Sequence, residues 1–260
     1  MSRVRLEFRD VTKRFGGGRG AAPVTAVEHL NIQIRDGEVV SLIGPSGCGK
    51  STLLNMGSGL DPATEGTVFV DGEAVTKPSA HVSFMLQKDL LLPWRTIRQN
   101  VEFGLEILHR PQAERAHIAD DLLAKCRLTD FANHYPHQLS GGMRQRAAMA
   151  RTLAVNPAVL LMDEPFSALD AQTKMVLQQD LGRTLAEAGK TALFVTHDLV
   201  EAIALSDRIL VMSKRPGTII DEITVDIPNR ENPLERRKHM RVGPIVGRLM
   251  ELLHIDEANA

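Results

Sequence analysis

The chain has little cysteine: Cys48 and Cys126 are its only two thiols. Two thiols do not make a disulfide framework, so we expect a reducing compartment such as the cytosol. The chain also lacks an uninterrupted apolar run of the roughly 20 residues that a transmembrane helix needs. Its opening residues, MSRVRLEFRD, have no apolar signal-peptide core. A role at a membrane would therefore require another chain to span it.

An excess of charge of either sign is also absent. The chain carries 31 Lys and Arg residues against 32 Asp and Glu residues, which gives a net charge of -1. A nucleic-acid-binding surface needs a basic excess or a basic stripe, so we expect no nucleic-acid partner. With 260 residues, 43% of them hydrophobic and 24% charged, the sequence is typical of a soluble globular protein that buries a sizeable core.

Short apolar or alternating runs predict β-strands on both sides of a helical region. The runs VRLEF, LNIQIRDGEVVSLIG, GTVFVDG and HVSFML come first, with one helix beginning inside GKSTLLNMGSGL. Helical spacing then relates Ile97, Val101, Leu105 and Leu108, and QAERAHIADDLLAKC predicts a second helix. A third helix begins at the Ser-Gly-Gly turn of LSGGMRQ. The strands AVLLMD, TALFVTH and RILVM follow, the first two separated by the helix TKMVLQQDLGRTLAEAG.

Fully apolar strands that alternate with helices indicate a parallel sheet covered on both faces. We therefore predict an α/β core that is split by a helical insertion at about residues 88–155. One domain is expected over residues 1–230, and a C-terminal helical tail over residues 231–260. The apolar stripe of this tail is expected to dock on the domain; it consists of Ile245, Val246, Leu249, Leu252 and Leu253.

The segment GPSGCGKST follows the apolar strand EVVSLI and predicts a phosphate-binding loop, or P-loop. The pattern G-x-x-x-x-G-K-[ST] requires this strand–loop–helix setting. Its glycines allow a tight turn whose backbone N–H groups face phosphates, and the next helix adds a partial positive charge. Lys50 is expected at the β- and γ-phosphates and Ser51 at Mg²⁺. The candidate nucleotide-binding residues here are Gly44, Pro45, Ser46, Gly47, Cys48, Gly49, Lys50, Ser51 and Thr52.

Catalytic candidates stand at the ends of other predicted strands. The run AVLLMDEP ends in Asp163 and Glu164, and ligands of such folds bind at the carboxyl ends of strands. Asp163 suits Mg²⁺ coordination, and Glu164 suits orienting or deprotonating an attacking water. FVTHD places His197 at the same edge, where it could contact a γ-phosphate. Gln87 lies where the strands give way to the insertion, so it could couple Mg²⁺ or water to movement of that insertion.

A second possible phosphate site lies in LSGGMRQRAAMARTL. Ser140 can cap the helix that follows, and Gly141 and Gly142 allow close approach of the phosphates of another molecule. Taken alone, the segment is better interpreted as a capped helix with a basic face formed by Arg144, Arg146 and Arg151.

To about residue 228, the chain resembles the nucleotide-binding subunits of ATP-binding-cassette (ABC) transporters. The motifs occur in the family's order: the P-loop, a Q-loop at Gln87, the signature LSGGMRQ, the strand LLMDEP, a D-loop SALD at Ser167–Asp170, and the switch His197. The resemblance implies a P-loop NTPase fold with a RecA-like core, an antiparallel β subdomain and an inserted α-helical subdomain. It also implies ATP and Mg²⁺ as cofactors, with Asp170 at the ATP site and Phe15 stacked on adenine.

The resemblance also explains why one chain would carry two phosphate sites. Two copies bind head to tail, and Ser140, Gly141 and Gly142 of one copy close on the ATP held by the other. Stretches such as LLLPWRTIRQNVEFGL and LFVTHDLVEAIALSDRILVMSKRPG are similar to importer ATPases for nitrate, sulfonate and taurine. Such subunits work at the cytoplasmic face of the membrane with a membrane permease and, indirectly, with a periplasmic or lipid-anchored solute-binding protein. Trp94 is expected either at the permease contact or in the core.

Three other functions are alternatives. A cassette ATPase that acts on DNA or ribosomes usually has two cassettes or a long coiled-coil insertion, whereas this chain has one cassette and a short insertion. A P-loop kinase has no use for the signature or the D-loop. A non-catalytic nucleotide sensor does not need the intact Glu164 and His197 that this chain retains.

Overall fold

The computed structural model describes residues 3–16, 22–167 and 169–254 of the chain, and it contains two β-sheets. The smaller sheet is antiparallel and has the strand order β2-β1-β4-β5. Its alternating side chains bury one face, as Leu6 and Phe8 of the first strand show. The strands are β1 (Val4–Phe15), β2 (Val24–Arg35), β4 (Glu65–Val70) and β5 (Glu73–Ala74).

The larger sheet has the order β10-β9-β3-β8-β7-β6 and is parallel except for β10, which pairs antiparallel with β9. Every residue of β3 and β8 is buried, as expected for strands covered on both faces. Its strands are β3 (Val39–Ile43), β6 (Val82–Met85), β7 (Val159–Asp163), β8 (Thr191–Val195), β9 (Arg208–Met212) and β10 (Ile219–Thr224).

Helices cover the larger sheet, and three of them follow β6 and precede β7 in the chain. These three form the helical insertion: α2 (Ile97–Ile107), α3 (Gln112–Lys125) and α4 (Gly141–Ala154). Thr96 and Gln99 form a capping box that fixes where the first of them begins. The other helices are α1 (Lys50–Ser58), α5 (Ala171–Glu187), α6 (Leu199–Leu205), α7 (Pro233–Arg236) and α8 (Val242–Leu252).

The two faces of the parallel sheet belong to two different cores. Along β7, Leu160 and Met162 pack with the helical insertion and α5, whereas Val159 and Leu161 pack with α1 and the antiparallel sheet. This alternation follows from the two-residue period of a strand. The helical insertion and the antiparallel sheet are therefore attached to opposite faces of one central sheet, and the strand ends lie between them.

The C-terminal segment packs against α6 and β9. Leu249 of α8 is fully buried among residues of α6 and β9. Arg236 is also buried, and its guanidinium donates hydrogen bonds to the carbonyl oxygens of Ala204 and Ser206 at the end of α6. These bonds pair carbonyls that the end of a helix leaves without a backbone partner. Residues 255–260 of the predicted tail lie outside the described residues.

The predicted fold class is confirmed as a mixed α/β P-loop NTPase fold. The short elements β5, β10 and α6 were not predicted, α7 lies within the predicted helical tail, and β1 continues to Phe15, beyond the predicted VRLEF. Strands and helices this short carry too few apolar positions for a period to show. In the part of the chain that the structure describes, no helix is both long and apolar enough to cross a membrane.

Candidate functional site

The larger sheet brings four segments with candidate residues to one edge. The P-loop follows β3, His197 follows β8, Glu164 follows β7 and Gln87 follows β6. These four strands are neighbours and run parallel, so their carboxyl ends meet at the same edge. Residues that are far apart in sequence are thereby gathered at the place where ligands bind in open α/β sheets.

The P-loop connects β3 to α1 through a turn that needs glycine. Gly47 and Gly49 have φ angles of 75° and 111°, in the left-handed region that side chains rarely adopt. A Cβ atom at Gly49 would also lie 2.4 Å from Cγ1 of Val27. Helix α1 has no side-chain cap and no acidic residue in its first turn. Its first N–H groups therefore point toward the loop without an internal acceptor and suit an anion.

Lys50 lies against the beginning of the same loop. Its Nζ donates to the carbonyl oxygens of Gly44 and Pro45, at 2.7 and 2.9 Å. The loop encloses a cavity of about 240 Å³. This cavity is lined by Ser46, Gly47, Gly49, Lys50, Ser51, Thr52, Asp163, Glu164, Val195 and Arg215. Cys48 is buried beneath the loop and lies outside this lining, as do Gly44 and Pro45.

Ser51 and Asp163 form the oxygen-rich part of the cavity. Burial raises the pKa of Asp163, and the charge of Glu164 adds to this effect, while a hydrogen bond from Ser51 and the charge of Lys50 oppose it. A hydroxyl and a carboxylate are hard oxygen ligands, and Mg²⁺ is usually held by one or two such groups together with phosphate oxygens. The donor set therefore fits Mg²⁺ bound together with a nucleotide.

Glu164 lies directly after β7, where its backbone conformation and hydrogen bonds fix its position. Its backbone has a φ of 45°, which costs about 1–3 kcal/mol for a residue other than glycine. Its N–H donates to the carbonyl oxygen of Val195 at 3.0 Å, and its own carbonyl accepts from the N–H and the hydroxyl of Ser167, both at 3.1 Å. These bonds tie the turn to the neighbouring strand and aim the carboxylate at the cavity.

Two other candidates contact the same carboxylate. Nε2 of Gln87 donates to Oε2 of Glu164 at 3.1 Å, and Nδ1 of His197 lies 3.4 Å from that oxygen. The His197 side chain is 65% exposed, whereas that of Glu164 is 24% exposed. The structure therefore brings Gln87, Glu164 and His197 together beside the P-loop.

The signature residues lie elsewhere on the chain. Ser140 caps α4, and its Oγ accepts from the N–H of Met143 at 3.3 Å. Gly141 lines a second depression of about 690 Å³, the Q-loop groove, together with Gln87 and Ser167. Ser140, Gly141 and Gly142 are not part of the P-loop cavity. Within one chain, the signature therefore does not face its own P-loop.

Two further candidates lie outside the P-loop cavity as well. Asp170 caps α5, where its carboxylate accepts from the N–H of Thr173 at 3.0 Å, and hydrogen bonds from the side chain and backbone of Thr173 lower its pKa. Ala168 of the predicted D-loop lies outside the described residues. Phe15 ends β1 with its side chain exposed, and Nζ of Lys13 lies 5.1 Å from its ring centroid.

The basic residues of α4 do not form a solvated face. Nε of Arg144 contacts Oδ2 of Asp89 at 3.0 Å, and Arg151 donates to the carbonyl oxygens of Asp89 and Leu90 at 2.6 and 2.7 Å. Gln145 is buried and donates to the carbonyl oxygen of Pro165 at 2.9 Å. Helix α4 is capped by Ser140 as predicted, but the cations of its basic face bind other parts of the chain: Arg144 and Arg151 bind the segment that follows Gln87, and Arg146 donates to the carbonyl oxygen of Cys126 at 3.4 Å.

Sequence reasoning missed Arg215, which the loop between β9 and β10 carries to the P-loop. Its Nε and Nη2 donate to the carbonyl oxygen of Gly47, at 3.1 and 2.8 Å. An exposed arginine in the stretch SKRPGT gives no signal of its own, because only the pairing of β3 with β9 brings it there. Asp89 was missed for the same reason, since its partners lie on α4.

Comparisons with known proteins identify the family to which this fold belongs. The family model described as ABC transporter matches residues 27–167, which is more than half of the chain. An uncharacterized ABC transporter ATP-binding protein of Methanocaldococcus jannaschii is 44% identical over 236 residues, covering 90% of this chain and 86% of its own length. The nitrate import ATP-binding protein NrtD of Synechocystis sp. is 45% identical, covering 91% of this chain and 88% of its own length.

A solved structure has the same fold. The cassette MJ0796, described as a dimeric post-hydrolysis state bound to ADP and Pi, superposes with a TM-score of 0.76 and 36% sequence identity. The match covers 86% of this chain and all of the MJ0796 chain. The motif order, the convergence of four strand ends on the P-loop and these matches lead to one conclusion: the chain belongs to the ABC transporter family, as an ATP-binding subunit with ATPase activity.

Proposed function

We propose that this ATPase powers the import of a small anionic solute of the nitrate, sulfonate or taurine type. The observation that carries the catalytic part is the convergence of Gln87 and His197 on Glu164 beside the P-loop cavity. The importer part is supported by two relatives named as nitrate import ATP-binding proteins, which are 45% and 41% identical to this chain.

The P-loop would bind the phosphates of ATP. Lys50 donates to the carbonyls of Gly44 and Pro45 at 2.7 and 2.9 Å, so it can exchange these neutral acceptors for the stronger charge-assisted bonds of the β- and γ-phosphates. The uncapped N–H groups of α1 would add backbone donors. Ser51 and Asp163 would hold Mg²⁺, which supplies charge neutralisation on the phosphate oxygens.

Glu164 would orient and deprotonate the water that attacks the γ-phosphate. A general base must lie within hydrogen-bond reach of its proton donor, and the strand-end turn aims this carboxylate into the cavity. Gln87 would hold Oε2 of Glu164 from one side, and His197 would approach the γ-phosphate from the other. Gln87 lies between β6 and the helical insertion, so it would pass a displacement of the insertion on to the base.

A second copy of the chain would complete the site. Gly141 is open: a Cβ atom there would meet only Nη2 of Arg144, at 3.9 Å, among the described atoms. Since Ser140, Gly141 and Gly142 lie away from their own P-loop, they would contact the ATP of the partner in a head-to-tail dimer. Asp170 would act at the same interface, and Phe15 would stack on adenine.

The permease would dock at the Q-loop groove. Leu90 lines this groove and is 53% exposed, and Trp94, four residues further along the chain, is 71% exposed and so does not lie in the core. Exposed large apolar side chains of this kind would suit a protein partner. Arg144 and Arg151 tie this segment to α4, so movement at the permease would reach the signature residues. The ATPase would therefore work at the cytoplasmic face of a membrane, with a periplasmic or lipid-anchored protein delivering the solute to the permease.

Action on nucleic acid or ribosomes is less well supported. The net charge of -1 gives the chain no basic excess. Arg144, Arg146 and Arg151, the most concentrated cations of the helical insertion, are bound to groups of the chain itself. They are not free to neutralise phosphates of a polynucleotide.

Replacing Glu164 by Gln should abolish turnover while preserving ATP binding. The amide keeps the size of the side chain but cannot accept a proton from water, so the hydrolysis rate should fall roughly 100-fold or more. Steady-state phosphate release and equilibrium binding of a fluorescent ATP analogue measure the two effects. Glu187→Gln at the end of α5, away from the site, is the matched control. Wild-type turnover in Glu164→Gln would show that the base lies elsewhere.

Replacing Lys50 by Ala should weaken nucleotide binding itself. The variant removes the side-chain cation assigned to the β- and γ-phosphates, so the dissociation constant for ATP should rise about 10- to 100-fold. The same fluorescent analogue measures it. AMP, which lacks both phosphates, should bind the variant and the wild type alike. Equal ATP affinity and equal turnover in both proteins would move the nucleotide site away from this loop.

Replacing Gly141 by Asp should stop hydrolysis without weakening ATP binding by the isolated chain. The added carboxylate would face the γ-phosphate of the partner's ATP, and like charges repel. Gly141→Asn, which has the same shape without the charge, should retain more activity. Gly142 is unsuitable for this test because a Cβ atom there would lie 2.7 Å from Cγ2 of Thr173.

Mixing Gly141→Asp with Lys50→Ala makes this test decisive, at an ATP concentration too low to fill the weakened P-loop of Lys50→Ala. A heterodimer of Gly141→Asp and Lys50→Ala has one doubly damaged site and one intact site. Equal mixing should therefore restore roughly a quarter of the wild-type rate, since half of the dimers are mixed and each has one working site of two. A Gly141→Asp monomer that loses ATP affinity, or a mixture that stays inactive, would refute a signature acting in trans.

Deleting the gene for this chain from its source strain should prevent growth on one anionic solute. Nitrate, taurine and an alkanesulfonate are each supplied as the sole nitrogen or sulfur source, and growth and solute uptake are measured. The wild-type gene should restore uptake, and the Glu164→Gln gene should not. Normal growth and uptake on every one of these solutes would contradict the proposed importer.

A further inference from the structure

The loop that joins β9 to β10, residues 213–218, is attached to both the P-loop and the antiparallel sheet. The N–H of Gly217 donates to the carbonyl oxygen of Ala26 at 2.9 Å, and the N–H of Glu28 donates to the carbonyl oxygen of Gly217 at 3.1 Å. These bonds join the loop to β2. The loop therefore bridges the two sheets beside the nucleotide cavity.

The loop is also held by its own side chains. Oγ of Ser213 lies 2.9 and 3.1 Å from the carbonyl oxygens of Lys214 and Pro216, either of which can accept its one hydrogen, and it accepts from the N–H of Thr218 at 2.9 Å. A loop fixed by hydrogen bonds at both of its ends loses little further freedom when it positions a side chain. Arg215, in its middle, is presented to the P-loop from a rigid base.

The backbones of the two loops are in direct contact. A Cβ atom at Gly217 would lie 2.1 Å from the carbonyl oxygen of Cys48. Only glycine therefore permits this approach. The contact fixes Arg215 opposite Gly47, one residue before Cys48, where the P-loop passes through its left-handed turn.

Arg215 engages a single P-loop atom with two donors. Its Nε and Nη2 both donate to the carbonyl oxygen of Gly47, at 3.1 and 2.8 Å, and the side chain also lines the cavity together with Lys50 and Asp163. A carbonyl oxygen carries a partial negative charge and therefore repels a phosphate that lies beside it. The guanidinium neutralises that partial negative charge, keeps the peptide from turning, and adds a positive charge at the rim of the cavity.

We propose that Arg215 is a positioning residue of the nucleotide site, which holds the P-loop at Gly47 in the conformation that binds ATP. The proposal rests on the assignment of the P-loop as the nucleotide site. Because Arg215 acts on the loop and not on the attacking water, its loss should change the affinity for ATP and leave the chemical step intact.

The test compares Arg215→Ala, Arg215→Lys and the neighbouring Lys214→Ala in steady-state ATP hydrolysis. Arg215→Ala should raise the KM for ATP about tenfold with kcat near the wild-type value, as expected from the loss of charge-assisted hydrogen bonds. Arg215→Lys keeps the charge but not the two-pronged donor, so its KM should be intermediate. Lys214→Ala removes an equal charge from the same exposed loop and should leave KM unchanged.

Three outcomes would overturn the proposal. They are an unchanged KM in Arg215→Ala, a fall in kcat at constant KM, and an equal rise of KM in Lys214→Ala. The Lys50→Ala variant, measured alongside, distinguishes a failure of the role of Arg215 from a failure of the P-loop assignment. Weak ATP binding in Lys50→Ala together with normal binding in Arg215→Ala would refute only the role of Arg215. Normal binding in Lys50→Ala would refute the P-loop assignment itself.

Discussion

The parallel pairing of β3, β8, β7 and β6 is the constraint on which the rest of the site depends. It places the P-loop, His197, Glu164 and Gln87 at one edge, although these segments are separated by whole helices in the chain. Alternate residues of β3 and β8 belong to two different cores, so a one-residue slip would exchange the side chains that each core was packed around. The cavity that the P-loop encloses is a consequence of this pairing.

The same sheet separates the elements that contact Glu164 from those that contact the P-loop. The helical insertion packs on one face, and α1 and the antiparallel sheet pack on the other. Gln87 contacts Glu164 from the side of the insertion, whereas Arg215 contacts Gly47 from the side of the antiparallel sheet. Under the proposed mechanism, Glu164 would respond to movement of the insertion through Gln87, while Arg215 would hold the P-loop from the other side.

Much of the candidate site could be predicted from the sequence, because its residues lie at the ends of strands and helices that the sequence pattern reveals. The P-loop, the ends of β7 and β8 and the Ser140 cap each combine a periodic element with a distinctive terminus, and the structure places all of them in that setting. Arg215 and Asp89 were not predictable in this way, because their partners are brought near only by long-range strand pairing and helix packing. The acceptors of the basic residues of α4 were not predictable for the same reason, since spacing along a helix does not reveal an acceptor on another segment.

The central claim is that each ATP site is built from the P-loop of one chain and the signature of another. Native mass spectrometry of the Glu164→Gln variant with ATP and Mg²⁺ tests it most directly, because this variant would not hydrolyse the ATP that holds the two chains together. The account predicts a species of two chains carrying two ATP molecules, which Gly141→Asp in the same background should eliminate. A single chain with one ATP at saturating nucleotide, or a dimer that is indifferent to Gly141→Asp, would contradict it.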